Sequence, residues 1–159
     1  MKKILLMMMA MFIATGIYAQ EEKPIKIITN HPDFKVKVKR CAASNKTVVI
    51  DLIFNNVSSS DVKMSAYGGS SSVAYDDEGN MYKDGNLQVS IANTNSFYQY
   101  GTDSFVIPAD VPVKITIQLE NVSASAEAIP RLMVALDCDK WGLNPHKPII
   151  INNIPISRD

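Results

Sequence analysis

The sequence predicts an all-β protein, an antiparallel sandwich of about eight or nine short strands. Three observations lead there. Apolar and polar residues alternate with period two in several separate runs, most clearly where Val113, Ile115, Ile117 and Leu119 interleave with Lys114, Thr116, Gln118 and Glu120. Clusters of Gly, Asn, Asp and Ser punctuate those runs about every ten residues. No window sustains a 3.6-residue apolar period for three turns, so the chain offers no long amphipathic helix.

Each element follows in order. Residues 20–32 have no periodic pattern and read as a lead-in to one domain over residues 33–159. Residues 34–41 alternate, with Phe34, Val36 and Val38 on one face and Lys35, Lys37 and Lys39 on the other. Residues 47–55 are apolar on nearly both faces, Asp51 excepted, as befits a strand in the middle of a sheet. Asn56–Asp61 is a turn, Val62–Tyr67 a strand and Gly68–Ser72 a loop. Val73–Asp76 and Met81–Tyr82 flank Asp77-Glu78-Gly79-Asn80, a hairpin turn in which Gly79 supplies a positive φ. Leu87–Ala92, Val113–Leu119, Leu132–Cys138 and Ile149–Ile156 complete the strands, and Pro155 marks the last as an edge or terminal one. Ala124–Ile129 has the alanine and glutamate of a single helical turn before Pro130. The inward rows predict a core of Ile50, Leu52, Phe54, Ile115, Ile117, Val134 and Leu136 between two sheets.

The first nineteen residues predict export. Lys2 and Lys3 precede an apolar run from Ile4 to Ala14, and Thr15–Ala19 leads to the polar Gln20-Glu21-Glu22-Lys23. A charged start, a short apolar core and a small residue at the break describe a signal peptide over residues 1–19. The run is shorter than the ~20 residues needed to span a bilayer. No cysteine stands at the break to carry a lipid, and nothing later in the chain is apolar for long enough to cross a membrane. The expected product is a secreted or periplasmic soluble protein starting at Gln20. Its charge, 14 basic against 16 acidic residues once Lys2 and Lys3 are removed, is near neutral and argues against nucleic acid as a partner. The one basic cluster is Lys35, Lys37, Lys39 and Arg40. Its period of two suggests a solvated strand face that protects an edge, with polyanion binding as the second reading.

Two cysteines, Cys41 and Cys138, remain in the exported part, and an even count in an oxidising compartment predicts a disulfide between them. Their phases conflict. Cys138 falls in the inward row of Leu132, Val134 and Leu136, whereas Cys41 falls in phase with the outward lysines. A β-bulge near Lys39-Arg40 would turn Cys41 inward; without one the thiols stay apart.

One stretch resembles a known type. Residues 47–56, followed by Ser58-Ser59-Ser60-Asp61-Val62, are similar to a pattern in exported bacterial immunoglobulin-like domains. In those domains an acidic Asp-Asp-Glu-Gly-Asn-x-Tyr turn follows, here Asp76 to Tyr82. A segment like Ile107–Ile117 then introduces a later core strand. The resemblance covers Val36 to Ile156. It implies an immunoglobulin-like sandwich and no catalytic residue. The chain departs from antibody-type domains in that Trp141 follows the second cysteine instead of lying between the two.

Catalytic chemistry finds little support. The two histidines, His31 and His146, stand beside prolines in loops, and no Gly-x-Ser-x-Gly elbow is present. No Cys-x-x-Cys or His-x-x-x-His pair nucleates a zinc site. The expectation is therefore a domain that is not an enzyme and needs no cofactor. The acidic turn reads as a hairpin, with calcium on Asp76, Asp77, Glu78 and Asn80 as the other reading. Among the aromatics, Tyr98, Tyr100 and Trp141 are the candidate ligand-binding residues, since rings near asparagines can stack on sugars. Two functions compete: a non-catalytic module that binds a protein or cell-surface component, and a small carbohydrate-binding module using exposed aromatics.

Overall fold

The computed structural model describes residues 23–67, 71–92 and 102–158. The export segment 1–19 lies outside them. The architecture grows outward from the central strand of the first sheet, Thr47–Asn56 (β3), whose Val48, Ile50, Leu52 and Phe54 are fully buried. It pairs antiparallel with Phe34–Ser44 (β2) on one side and Val113–Leu119 (β9) on the other. Leu87–Ile91 (β7) pairs beyond β9, and Ser157–Arg158 (β12) runs parallel to β2 at the other edge. The first sheet is therefore β12-β2-β3-β9-β7.

The second sheet is centred on Ala128–Asp137 (β10). Ile149–Pro155 (β11) lies on one side of it and Lys26–Ile28 (β1) outside that. On the other side β10 pairs with two strands in succession, Val73–Tyr75 (β5) along its first half and Val62–Tyr67 (β4) along its second. Met81–Tyr82 (β6) pairs with β5, and Thr102–Ile107 (β8) pairs with β4. The orders β2-β3-β9-β7 and β11-β10-β4 are those of strands A-B-E-D and G-F-C of an immunoglobulin sandwich. β1, β5, β6 and β8 are additions, and β12 carries the end of the chain's last strands across to the first sheet. The all-β antiparallel sandwich is thus the observed fold. Among the described residues no helix is long and apolar enough to cross a membrane.

The expected core stands: Ile50, Leu52, Phe54, Ile115, Ile117, Val134 and Leu136 are all fully buried. Phe34 and Phe54 meet edge to face at 5.0 Å between centroids. Phe54 is followed by a polar anchor, the fully buried Asn56. Its Nδ2 donates to the carbonyls of Ser60 (2.8 Å) and Ile107 (3.1 Å), and its Oδ1 accepts from the Ser58 N–H and hydroxyl. A side chain buried this deeply is tolerated because all its polar atoms are partnered.

Three local expectations change. The segment read as an unpatterned lead-in contributes β1, because Ile27 packs against the core opposite Ile151. Residues 124–129 form no helical turn: the Ala126 N–H closes a tight turn onto the Ser123 carbonyl, and Ala128–Pro130 already belong to β10. Strand pairing outweighs the weak helix propensity of six residues.

The expected disulfide is absent; Cys41 and Cys138 are buried free thiols. The bulge itself exists, with the register of β2 on β3 shifting between Val38 and Arg40, and it turns Cys41 inward opposite Ile50. The thiols fail to meet because they occupy opposite ends of the sandwich. Trp141, three residues past Cys138, stacks on Phe34 at the start of β2 (centroids 4.6 Å). Cys41 lies seven residues further along that strand, roughly 20 Å away at ~3.3 Å per residue. A bridge needs Cα atoms within ~7 Å. Burial also pushes the Cys41 thiol up to about 12.

Two outcomes are expected. Native protein should show no thiol reactive toward a bulky alkylating agent at neutral pH, and two after unfolding without reductant; mass spectrometry that finds a Cys41–Cys138 cross-linked peptide contradicts the packing. Truncating the fully buried Phe54 to alanine should cost about 3–5 kcal/mol. Lys37→Ala, on the exposed face opposite the core, should change stability by about 0.5 kcal/mol or less. Urea melts compare the two directly.

Candidate functional site

The acidic turn is built around one carboxylate. Asp76 directly follows β5 and is buried, and the turn wraps it. Its Oδ1 accepts the N–H groups of Glu78 (3.1 Å) and Asn80 (2.8 Å). Its Oδ2 accepts Asn80 Nδ2 (2.9 Å) and the Tyr82 hydroxyl (2.6 Å). Gly79 has φ of 87°, as the hairpin reading expected. Asp77 and Glu78 point elsewhere: Asp77 accepts the Glu127 N–H, and Glu78 the Ser125 hydroxyl. The four calcium candidates thus do not converge on a common centre. Among the described residues no group of three or more His, Cys, Asp or Glu is placed to hold a metal ion.

The turn forms one wall of an open polar groove of about 510 Å³, lined by residues such as Glu78, Asn80, Tyr82, Glu120 and Asn121. Its carboxylates are engaged by the protein itself: Glu120 accepts the Thr47 hydroxyl at 2.9 Å and an amide N–H of Gln118. The groove holds two acids already used as local acceptors. The histidines lie away from it. His31 packs 6.1 Å from the Trp141 ring, with Nδ1 accepting the Asp33 N–H, and His146 is exposed in the Asn144–Lys147 turn.

The aromatic candidates divide. Tyr98 and Tyr100 lie outside the described residues. Trp141 is no exposed platform: it is 2 % exposed, stacked on Phe34, and its indole N–H is buried with no partner among the described residues. A sandwich end must be closed, and the largest apolar ring in the chain closes it.

Sequence reasoning missed the outer face of the second sheet. Met133 of β10 faces Ile150 of β11 on one side and Val73 of β5 on the other, and Ile150 faces Ile28 of β1. All four are half-buried, while their inward neighbours Leu132, Ile151 and Ala74 are buried. The adjacent outward row is Lys26, Asn152, Arg131, Tyr75 and Met81, the last 48 % exposed. An apolar row crosses four strands, and a row with Tyr, Met and Arg borders it. Tyr67, further along this face, donates to Asp137 at 3.2 Å. A signal existed in the outward positions of 128–137 and 149–155. It became legible only once β1, β11, β10, β5 and β6 were known to be neighbours.

The Asp76–Tyr82 pair makes stability depend on pH at both extremes. Burial works against the Asp76 carboxylate, but the bonds from Tyr82, Asn80 and Glu78 outweigh it and hold Asp76 below the usual range. A carboxyl with a lowered folded pKa contributes stability above its ordinary value that is lost as pH falls through the folded one. Tyr82 is pushed up to about 12, by burial first and by Asp76 second. That contribution is present below about pH 10 and lost as pH rises toward 12. Urea melts should therefore show the wild type losing stability on acidification more steeply than Asp76→Asn, and in the alkaline window more steeply than Tyr82→Phe. Parallel profiles for wild type and both variants would contradict the coupling.

No protein-family profile and no curated protein matches the chain. Among solved structures, it is similar to part of a family 123 glycoside hydrolase from Clostridium perfringens, at 9% identity and a TM-score of 0.43, covering 85% of this chain and 26% of that one. It is similar to a PapD-like (ASH) domain of human CEP192, at 14% identity and a TM-score of 0.40, covering 86% of this chain and 90% of that one. A β-glucosidase from Kluyveromyces marxianus matches at 9% identity and a TM-score of 0.34, over 78% of this chain and 15% of that one. The chain thus spans about a quarter of the glycoside hydrolase and a smaller part of the β-glucosidase. The immunoglobulin-like fold rests on the strand order itself.

Proposed function

We propose that this is an exported, non-catalytic immunoglobulin-like module that binds a protein or cell-surface partner through the outer face of its second sheet. The observation that carries the reading is the pair of outward rows on β1, β11, β10, β5 and β6. A half-buried apolar centre of Ile28, Ile150, Met133 and Val73 is bordered by Tyr75, Met81 and Arg131. Interfaces favour this composition, because aromatic, methionine and arginine side chains carry large contact area with a polar tip or a flexible stem. The face lies on regular strands, which hold it rigid before a partner arrives and lower the entropy lost on binding. Export, expected from residues 1–19, would place the face where an envelope or extracellular partner is available.

The test uses mature protein immobilised and exposed to a solubilised envelope fraction of the producing cell. The wild type should retain a specific component that the Met133→Lys/Ile150→Lys variant loses, while Lys37→Gln retains it. Both substitutions are on the outer face, so circular dichroism should keep the wild-type spectrum; the two lysines stand directly opposite each other across β10 and β11, so the melt should shift by about 1–2 kcal/mol without loss of cooperativity. Equal retention by wild type and double variant would overturn the reading. Binding on a glycan array that disappears with Tyr98→Ala and Tyr100→Ala would establish the carbohydrate-binding module instead.

A further inference from the structure

The opposite outer face, on the first sheet, has a different chemistry. β2, β3 and β9 carry Lys35, Lys37, Lys39, Arg40 and Lys114 and a single carboxylate, Asp51. The bulge places Arg40 opposite Asp51, and Asp51 is also opposite Thr116. Asp51 is buried beneath its partners, with Arg40 Nε at 3.3 Å, Lys114 Nζ at 3.3 Å and the Thr116 hydroxyl at 2.9 Å. One buried anion thus holds two cations in fixed positions and leaves a net positive charge. Lys35, Lys37 and Lys39 are exposed beside it and have no ion-pair or hydrogen-bond partner among the described residues.

The cations are ordered. Lys35 and Lys37 stand two residues apart on β2, about 7 Å, and Lys37 and Lys114 flank Ile53 across two strand spacings, about 10 Å. These separations are within the Debye length of ~10 Å at 0.1 M salt, so the fields overlap. The carboxylates of the rest of the chain lie chiefly in turns, such as Asp76-Asp77-Glu78, and leave this face cationic in a protein that is near neutral overall. The positive charges form a line along β2 instead of a ring around a pocket. Among the described residues the exposed large apolar side chains are Ile25, Val57, Met81, Val106 and Val111, and none belongs to β2, β3 or β9, so the face lacks the apolar wedge that lipid insertion uses.

We propose that this face binds a linear polyanion, a polymer carrying phosphate or sulfate groups along its length. Lys35, Lys37 and Lys39 make the mobile contacts, while Arg40 and Lys114, held by Asp51, present a preorganised end to the track. Binding releases counterions from the polymer, so affinity falls with salt in proportion to the number of contacts. The inference stands independently of the partner face on the second sheet.

The test measures binding of the mature protein to inorganic polyphosphate and to heparin as a function of salt. Wild type should bind at least one, and Lys35→Gln/Lys37→Gln/Lys39→Gln should bind about tenfold or more weakly, with the slope of log affinity against log salt reduced by about one per lysine removed. A control variant with the same charge change elsewhere, Lys63→Gln/Lys83→Gln/Lys147→Gln, should stay within about threefold of wild type. The relative affinities for the two probes separate phosphate from sulfate as the preferred group. No binding of either polymer at low salt, or an equal loss in triple and control variants, overturns the proposal. So does binding confined to anionic lipid vesicles, which assigns the face to a membrane. If the triple variant binds as wild type but self-associates, the lysines guard a sheet edge and the proposal fails.

Discussion

Everything in this fold is referenced to β3. Its inward row of Val48, Ile50, Leu52 and Phe54 is fully buried, and pairing on both sides leaves it no freedom to slip. A shift of one residue would turn that row out of the core and point Thr47, Val49, Asp51 and Ile53 into it instead, so the register carries a large penalty against error. Asn56 then pins the end of the strand to the following turn and to the end of β8 through hydrogen bonds that an apolar residue could not make. Hydrophobic burial selects the face, and a satisfied polar group selects the end point.

The bulge at Lys39 shows how one inserted residue divides a strand into two chemical halves. Before it, Phe34, Val36 and Val38 face the core; after it, Cys41 and Ala43 do. Without the extra residue, Arg40 would follow Val38 toward the interior, where an unpaired guanidinium is costly. With it, Arg40 reaches Asp51, and a carboxylate in the middle of the first sheet acquires two cations and a hydroxyl. That arrangement also corrects the simplest view of Lys114. Its position on the outward face was expected, but it is half-buried and engaged instead of free in solvent.

The two outer faces divide the surface by chemistry. The first sheet presents cations around a buried acid, and the second an apolar row with aromatic and methionine neighbours. Between them the polar groove beside Asp76 looks on composition like a site for acids, yet its carboxylates already accept the protein's own donors. Composition alone overstates such a cluster, because a carboxylate that stabilises a turn is not free to receive a ligand.

Strand identity and facing were legible in the sequence, because period-two alternation is a local property that each strand carries by itself. Residues 34–41, 47–55, 62–67 and 113–119 were readable from the sequence, as was the bulge condition on Cys41, although the first strand runs on to Ser44 and the second to Asn56. β1, β8 and β12 were not, since Lys26–Ile28, Thr102–Ile107 and Ser157–Arg158 carry no clean alternation of their own and owe their conformation to the neighbour they pair with. The cysteine pairing failed for a related reason. Phase tells which way Cys41 and Cys138 point, but position along the sandwich axis is set by how two separate sheets are superposed, and only the packing of Trp141 on Phe34 reveals it. The same packing hid the tryptophan that composition suggested as a ligand platform. The candidate interaction face depends on tertiary structure most of all: Ile28, Val73, Met133 and Ile150 are scattered through the chain and form one row only because β10 pairs with β11 on one side and β5 on the other. Local alternation determined which residues point inward; long-range pairing decided which outward residues stand together.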